Sequence, residues 1–498
     1  MDQRSANIGD LLLGAGRDED VALIDRSGAH TYATLRQATN ALAAVVTTWD
    51  LPAGSRIGVL SRNSLFWAAS YLAILRTGQV AVPFATTLAP QDLLVKAEFV
   101  DCDSFFIDPG IGATAARVAA AATRVVDPTV LDGPPSAAEP SVAPVAPDDD
   151  AVLMFTSGTT SAPRAVRVSH RNIAANTDAI VQYLALTPQD RIAVVLPFSY
   201  CYGASLLHTH LRVGASLSIC DTFTFPETVV ELIQRDRCTV LAGVPSTYQL
   251  LLRASSFGTT PLPTLRVLQQ AGGRLPQPQV DAVADCQPHA RLFVMYGATE
   301  ATSRMSYLPP ELRQERRGSI GRGIPGVTLS VVDDDGQEVA AGTVGEVFAR
   351  GASVTKGYWR DPEGTATRFV DGGLRTGDLG YADPDGFIHI VDRKADFIKS
   401  WGIRVSSQEI EDAVIELSGV SAAAAVGRPD EAAGEAIVLF YVAADGVQPE
   451  DVLAHCRASL ARHLVPHEVR RIERLPLNAN GKVVKADLKS LALVEATV

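Results

Sequence analysis

Four hydroxyls gathered around one glycine form the densest piece of chemistry in this sequence. In MFTSGTTSAPRAVRVSH, residues 154–170, an apolar run ends in Thr156, Ser157, Gly158, Thr159 and Thr160. Glycine lets the backbone come close and turn its N–H groups inward, and the hydroxyls add further donors, so the stretch suits a phosphate. Arg164 places a positive charge nearby. The lysine and glycines of a G-x-x-x-x-G-K-[ST] loop are absent, and a plain Ser/Thr-rich turn is the competing reading.

Further motifs follow downstream: AGGRL (271–275), YGATE (296–300), GSIGRGIPGV (318–327), GEVFARG (345–351), KGYWRDPEGT (356–365), RTGDLGYADPDGFIHIVDRKADFIK (375–399) and LNANGK (477–482). In this order and spacing they resemble the adenylate-forming superfamily of acyl- and aryl-CoA ligases, carrier-protein-loading adenylation domains and luciferases. The likeness covers most of the chain from about residue 150 onward. The sequence departs from the family's usual S-G-T-T-G-x-P-K-G loop at Ser161, Arg164 and Ala165. Arginine for lysine keeps the charge and adds a planar fork that suits phosphate.

The resemblance implies an ATP site built from Thr156, Ser157, Gly158, Thr159, Thr160 and Arg164, from Gly272, Gly273 and Arg274, and from Tyr296, Gly297, Ala298, Asp378, Ile390 and Arg393. Tyr296 would stack near the adenine, Thr299 would contact the α-phosphate, and Glu300 would help hold Mg²⁺, a hard cation that favours carboxylate oxygen. Asp378, between glycines in TGDLG, would accept both ribose hydroxyls, and Arg393 would reach the ribose and phosphate. Lys482 in an Asn/Gly-rich loop reads alone as a solvated surface lysine. The resemblance makes it the cation that stabilises charge as a carboxylate attacks the α-phosphate. Lys482, Thr299 and Glu300 are thus the expected catalytic groups. VDRKADFIK resembles a hinge pivoting on Ala395, where the family often has Asp or Lys, and small residues are common at hinges.

LPFSYCYGAS, AGVPST, AGGR and YGATEATSRM supply small, apolar and aromatic residues for an acid pocket, with Tyr200, Cys201, Gly203, Ser246, Ala271 and Met305 as its expected lining. Gly203 falls where amino-acid-activating domains usually carry an Asp for the α-ammonium. Because residues 191–220 contain no Asp or Glu, an aryl, heteroaryl or alkyl acid is the better expectation. His208 and His210, two apart on one helix, face different ways and read as core or surface histidines rather than ligands. For the acceptor, KSWGIRV puts Trp401 and Gly402 where CoA-using relatives often carry paired glycines. A thiol, CoA or carrier-protein pantetheine, is the first expectation; an amine, giving an amide bond synthetase, is the alternative. An amino-acid-activating enzyme and a non-catalytic binding module are lesser readings.

These residues need a scaffold. RIGVLSR (56–62), QVAVPF (79–84), IAVVLPF, LSIC, CTVLAGV and RLFVMYG read as strands alternating with helices, the first an amphipathic helix over 65–78, and this predicts an α/β fold with parallel-type sheets. DGPPSAAEPSVAPVAPDDD (132–150) reads as a solvated linker. From about residue 327 short alternating runs with Asp-Gly turns, one at Asp385-Gly386, predict a small antiparallel or barrel-like unit. A small α+β C-terminal domain that rotates about the hinge completes the fold, with domains at 1–394 and 395–498. Its expected elements are a helix at 406–417, strands at 422–427 and 436–442, and a helix at 449–464.

With 498 residues, the chain is long enough for several cores. Its net charge of −12 argues against bulk nucleic-acid binding. No apolar run is long enough to span a bilayer, and the start resembles no secretion signal. Six scattered cysteines form no C-x-x-C pair, so the expected setting is a reducing cytoplasm. The sequence leaves the oligomeric state open.

Overall fold

The computed structural model describes residues 6–133, 142–156, 163–220, 223, 225–478 and 481–494. A six-stranded sheet runs in the order Arg124–Val126, Ser104–Ile107, Arg56–Leu60, Val80–Pro83, Asp150–Phe155, Ala165–Ser169. Its strands are parallel except for the final hairpin pair. Val80–Pro83 and Ser104–Ile107 are buried on both faces, as covered parallel strands must be, and this explains their uninterrupted apolar sequence.

A second sheet has 14 strands. Its centre is parallel, from Ser216–Ile219 through Arg191–Val194, Val240–Gly243 and Val267–Gln270 to Arg291–Tyr296. Ser306–Leu308 then pairs antiparallel with Arg291–Tyr296, and the ladder continues through Ser319–Gly323 into Ile388–Arg393, Gly373–Ala382, Gly345–Gly351 and Val327–Val332. The region expected to be an antiparallel or barrel-like unit is therefore the open antiparallel end of this large sheet. Ser319–Gly323 pairs on both sides, so the strands extend the existing sheet instead of closing on themselves.

The helices Leu65–Arg76, His170–Leu184 and Cys201–Arg212 join one continuous core with Ile57 and Val152 of the six-stranded sheet and Ile192 and Val267 of the larger one. Leu65–Arg76 is not amphipathic, as its sequence suggested. Every residue from Phe66 to Leu75 is buried, because sheets and helices cover the helix all round. In the described part of the 132–150 segment, Ala143 N–H donates to Arg76 C=O at 2.8 Å and Val145 is buried, while Asp132, Gly133, Pro144, Ala146, Asp148 and Asp149 are exposed.

After Ile388–Arg393 the chain enters a five-stranded sheet that starts at Ile398–Ser400 and contains Val420–Asp430 and Gly434–Ala443. Ser407–Ile415, Pro449–Ser459 and Lys485–Leu493 are helices packed on it; the second stops at Ser459, short of the expected 464, where Leu460 turns to extended backbone. We place the junction between Arg393 and Ile398, beside the boundary and the Ala395 pivot read from the sequence. No helix among the described residues is long and apolar enough to cross a membrane.

Asp392 ties the small unit to the large sheet. Its side chain is 1% exposed, and Oδ2 accepts from both Ser407 N–H and Ser407 Oγ at 2.7 Å. Asp392→Ala strands those buried donors and is expected to cost about 1–3 kcal/mol, read as a lower urea midpoint; an unchanged midpoint contradicts this anchoring.

Candidate active site

The last parallel strand, Arg291–Tyr296, carries Tyr296 to the mouth of the large sheet, and Gly297-Ala298 leads into a tight turn at Thr299–Ala301. Tyr296 donates its hydroxyl to Asp378 Oδ2. Asp378 lies opposite Arg393 in the antiparallel register, and Arg393 Nε stands 3.3 Å from Asp378 Oδ1. One buried carboxylate is thus held by a phenol and a guanidinium from two other strands. Burial and the adjacent carboxylate push the Tyr296 phenol well above its ordinary pKa, so it remains a donor. Ile390 lies in the same ladder, opposite Gly380.

At the phosphate end, Asp150–Phe155 and Ala165–Ser169 form a hairpin, and Thr156 N–H donates to Arg164 C=O at 3.1 Å. Ser157, Gly158, Thr159 and Thr160 lie outside the described residues. The Arg164 guanidinium sits 4.8 Å from the centre of the Tyr358 ring, and its Nε is 3.4 Å from Asp361 Oδ2. Tyr358 in turn donates to Glu300 Oε1 at 2.8 Å. Its aromatic side chain therefore connects the loop's cation to the expected metal-binding carboxylate. Sequence reasoning quoted Tyr358 inside a motif but gave it no role, although a polar aromatic within that motif was the available signal.

Among the described residues, Glu300 Oε2 has no hydrogen bond, and no cluster of three or more His, Cys, Asp or Glu side chains could cage a metal. This fits Mg²⁺ as an ion carried chiefly by phosphate oxygens and one carboxylate.

Lys482 arrives from the far end of the chain. Its Nζ lies 5.9 Å from the centre of the Tyr200 ring. Cys201 is next to Tyr200, and its Sγ accepts from Thr299 Oγ1 at 3.4 Å. Burial, together with Arg393, lowers the Lys482 pKa, while Cys201, Asp378 and Glu300 act in the opposite direction. A loop closed by Asn478 holds the lysine: Asn478 Oδ1 accepts from Lys482 N–H at 3.1 Å. Gly481, at φ +74°, presses so close to the large domain that a Cβ would lie 2.4 Å from Ser246 Oγ. Ser246, an expected pocket residue, is thus the surface on which this loop rests.

The remaining expected residues separate. A Cβ on Gly203 would lie 1.9 Å from the Pro197 carbonyl oxygen, so this position packs backbone on backbone, and Cys201 lines a small cavity nearby. Met305 packs with Ala301, Ala349 and Leu374 in a cluster against which Tyr296 and Ala298 also pack. Ala271 is buried at the end of Val267–Gln270, followed by the Gly272-Gly273 turn. Arg274 reaches the small unit, 2.5 Å from Asp412 Oδ2 and 3.0 Å from Gln408 Oε1. Trp401 and Gly402, at φ +54° and +76°, form the tip of a hairpin, with Trp401 61% exposed. His208 bonds the Tyr71 hydroxyl at 2.9 Å and His210 the Leu206 carbonyl at 2.9 Å; burial pushes their pKa values down to about 3 and about 4, leaving neutral core histidines.

Residues 14–359 match the profile of the AMP-binding enzyme family, and residues 409–482 that of the AMP-binding enzyme C-terminal domain. The chain belongs to this family and is an AMP-forming ligase. Among its relatives, indoleacetate–CoA ligase of Aromatoleum aromaticum is 29% identical over 485 residues, covering 93% of each chain. ATP-bound MatB from Rhodopseudomonas palustris superimposes with a TM-score of 0.88 at 28% identity, covering 98% of each chain. Amide bond synthetase McbA from Marinactinospora thermotolerans gives 0.87 at 29% identity, covering 98% of this chain and 99% of that one.

Gly481→Ala tests the seating of Lys482. The added methyl must displace the loop from Ser246, and pyrophosphate release is expected to fall about 10²-fold with an unchanged melting temperature. Wild-type release would show that the close approach does not place the lysine.

Proposed function

We propose that this ligase activates an aryl, heteroaryl or alkyl carboxylic acid as its acyl-adenylate, releases pyrophosphate, and passes the acyl group to a thiol, CoA or carrier-protein pantetheine. The observation that carries this reading is the arrival of Lys482 in one cleft with Tyr200, Thr299, Glu300 and the Asp378–Arg393 pair. Asp378 would take the ribose hydroxyls while Tyr296 and Arg393 hold it in place. The residues of the 156–164 loop and Thr299 would bind the phosphates, and Glu300 would hold Mg²⁺, which neutralises phosphate charge when bound. Lys482 would stabilise the charge that develops as the acid's oxygen attacks the α-phosphate and the bond to pyrophosphate breaks. The nucleophile then attacks the acyl carbon and AMP leaves.

A second reading, transfer to an amine, draws on one feature. Trp401 occupies the position where the resemblance leads one to expect a pantetheine-lining glycine, and it does so exposed at a hairpin tip. The similarity to an amide bond synthetase agrees with that reading.

Incubation with ATP, Mg²⁺ and a panel of aryl and alkyl acids, each with CoA and separately with a simple amine, distinguishes the two. Pyrophosphate with a CoA thioester supports the first reading and pyrophosphate with only an amide the second; a folded protein that releases none from any acid contradicts both. The Lys482 amine must be protonated to act, and its pKa is lowered, so kcat/KM for ATP is expected to fall on the alkaline side below the free-lysine pKa of about 10.4. Lys482→Arg, charged throughout, should lose that alkaline limb; an identical limb in the variant would assign it to another group.

A further inference from the structure

Arg304 is an unusual residue to find in a core. It is 1% exposed, and the hydrogen-bond partners of its guanidinium are neutral: Nη1 donates to the Ser205 hydroxyl and, at 3.0 Å, to Ser303 Oγ, and Nη2 donates to Gln269 Oε1 at 3.2 Å. The guanidinium stacks 4.1 Å from the centre of the Tyr202 ring, and Nε has no partner among the described residues. None of these groups cancels its charge, so a positive field persists in a poorly screened place.

Ser205 and Ser303 both line a cavity of about 20 Å³, room for about one water or a small substituent. Ser205 gives its own proton to the Tyr202 carbonyl at 2.5 Å. Ser303 accepts from Arg304, and its proton has no acceptor among the described residues. The cavity is therefore offered the hydroxyls of Ser303 and Thr177, and of these two it is Ser303 that is polarised by the cation behind it. Cys201 lines the same cavity and accepts from Thr299, so the space begins one side chain from the reacting end of the cleft.

The backbone delivering these groups is strained. Thr302 sits at φ +69°, ψ −61°, and Ser303 N–H closes a three-residue turn onto Ala301 C=O at 2.8 Å. That γ-turn is the rare, unfavourable hand, and Thr302 is the only β-branched residue at positive φ among the described residues. Strain of this kind persists where the surroundings enforce it, and it gathers at ligand sites.

We propose that this cavity is the far end of the acid site and takes a small hydrogen-bond-accepting group, such as a ring nitrogen or a carbonyl oxygen, borne by the acid away from its carboxylate; this rests on the adenylation reading above. Ser303 is the donor that reads the group, and Arg304 is the positioning residue that polarises it. An acid with only C–H in that place leaves the donor unpaired, which a site built around a polar contact rejects.

The test uses the full-length enzyme and isosteric pairs of aromatic acids that differ by one CH→N replacement, such as naphthalene and quinoline carboxylic acids with the nitrogen moved around the ring. For at least one nitrogen position, kcat/KM in pyrophosphate release is expected to exceed that of the carbocycle by about tenfold. Ser303→Ala should bring the ratio close to one, and Ser303→Thr, which keeps the hydroxyl, should preserve it. Equal kcat/KM across every wild-type pair, or a preference that survives Ser303→Ala, overturns the proposal. Calorimetric binding of the same pairs to the wild type requires neither turnover nor a variant. A binding preference without pyrophosphate release contradicts adenylation and keeps the cavity assignment; equal binding of every pair overturns the assignment.

Discussion

Adjacent residues of a strand point to opposite faces, and at the end of Ile388–Arg393 this alternation organises the molecule. Asp392 turns inward and grips Ser407 at the start of the small unit's first helix. Arg393 turns the other way and meets Asp378 across the ladder. One step of backbone thus fastens the small unit and completes the polar end of the cleft. The same small unit supplies Lys482, whose charge acts only if the junction holds it near Thr299 and Glu300.

The cleft is assembled from distant parts of the chain because no single element could carry its charges. Asp378 and Arg393 come from neighbouring antiparallel strands, Tyr296 and Glu300 from the end of a parallel strand and the turn after it, and Lys482 from a loop held by Asn478. Burial first, and then the nearby Arg393, lower the Lys482 pKa. Phosphate would relieve the repulsion between the two cations. The buried Arg304 has no carboxylate partner among the described residues, whereas Asp378 and Glu300 partly offset Lys482.

Much of this was legible in the sequence, because loops that bind a nucleotide constrain residue type as well as pattern. The motifs around Tyr296, Asp378, Arg393 and Lys482 located residues that the fold brings together, and the strand–helix alternation predicted the parallel sheets. Side-chain direction was not legible. Gly203, expected in the pocket, packs on the Pro197 backbone, and Met305 lies in a cluster that also packs against Tyr296 and Ala298. Arg274 turns from the expected nucleotide set to Asp412 of the small unit. Of the antiparallel and barrel-like forms that the short runs and turns allowed, the open antiparallel one is present, because Ser319–Gly323 pairs on both edges. Arg304 carried no signal, since one arginine in a polar stretch says nothing about burial.

The central claim is that Lys482 drives attack of a carboxylate oxygen on the α-phosphate, and the AMP product records whether that happens. An acid of the panel, labelled with heavy oxygen in its carboxyl group, is turned over with ATP, Mg²⁺ and its acceptor, and the AMP is weighed by mass spectrometry for wild type and Lys482→Ala. The account predicts AMP carrying one heavy oxygen in the wild type, and labelled AMP formed at least about 10²-fold more slowly in the variant. Unlabelled AMP, formation of ADP, or labelled AMP made by the variant at the wild-type rate would contradict it.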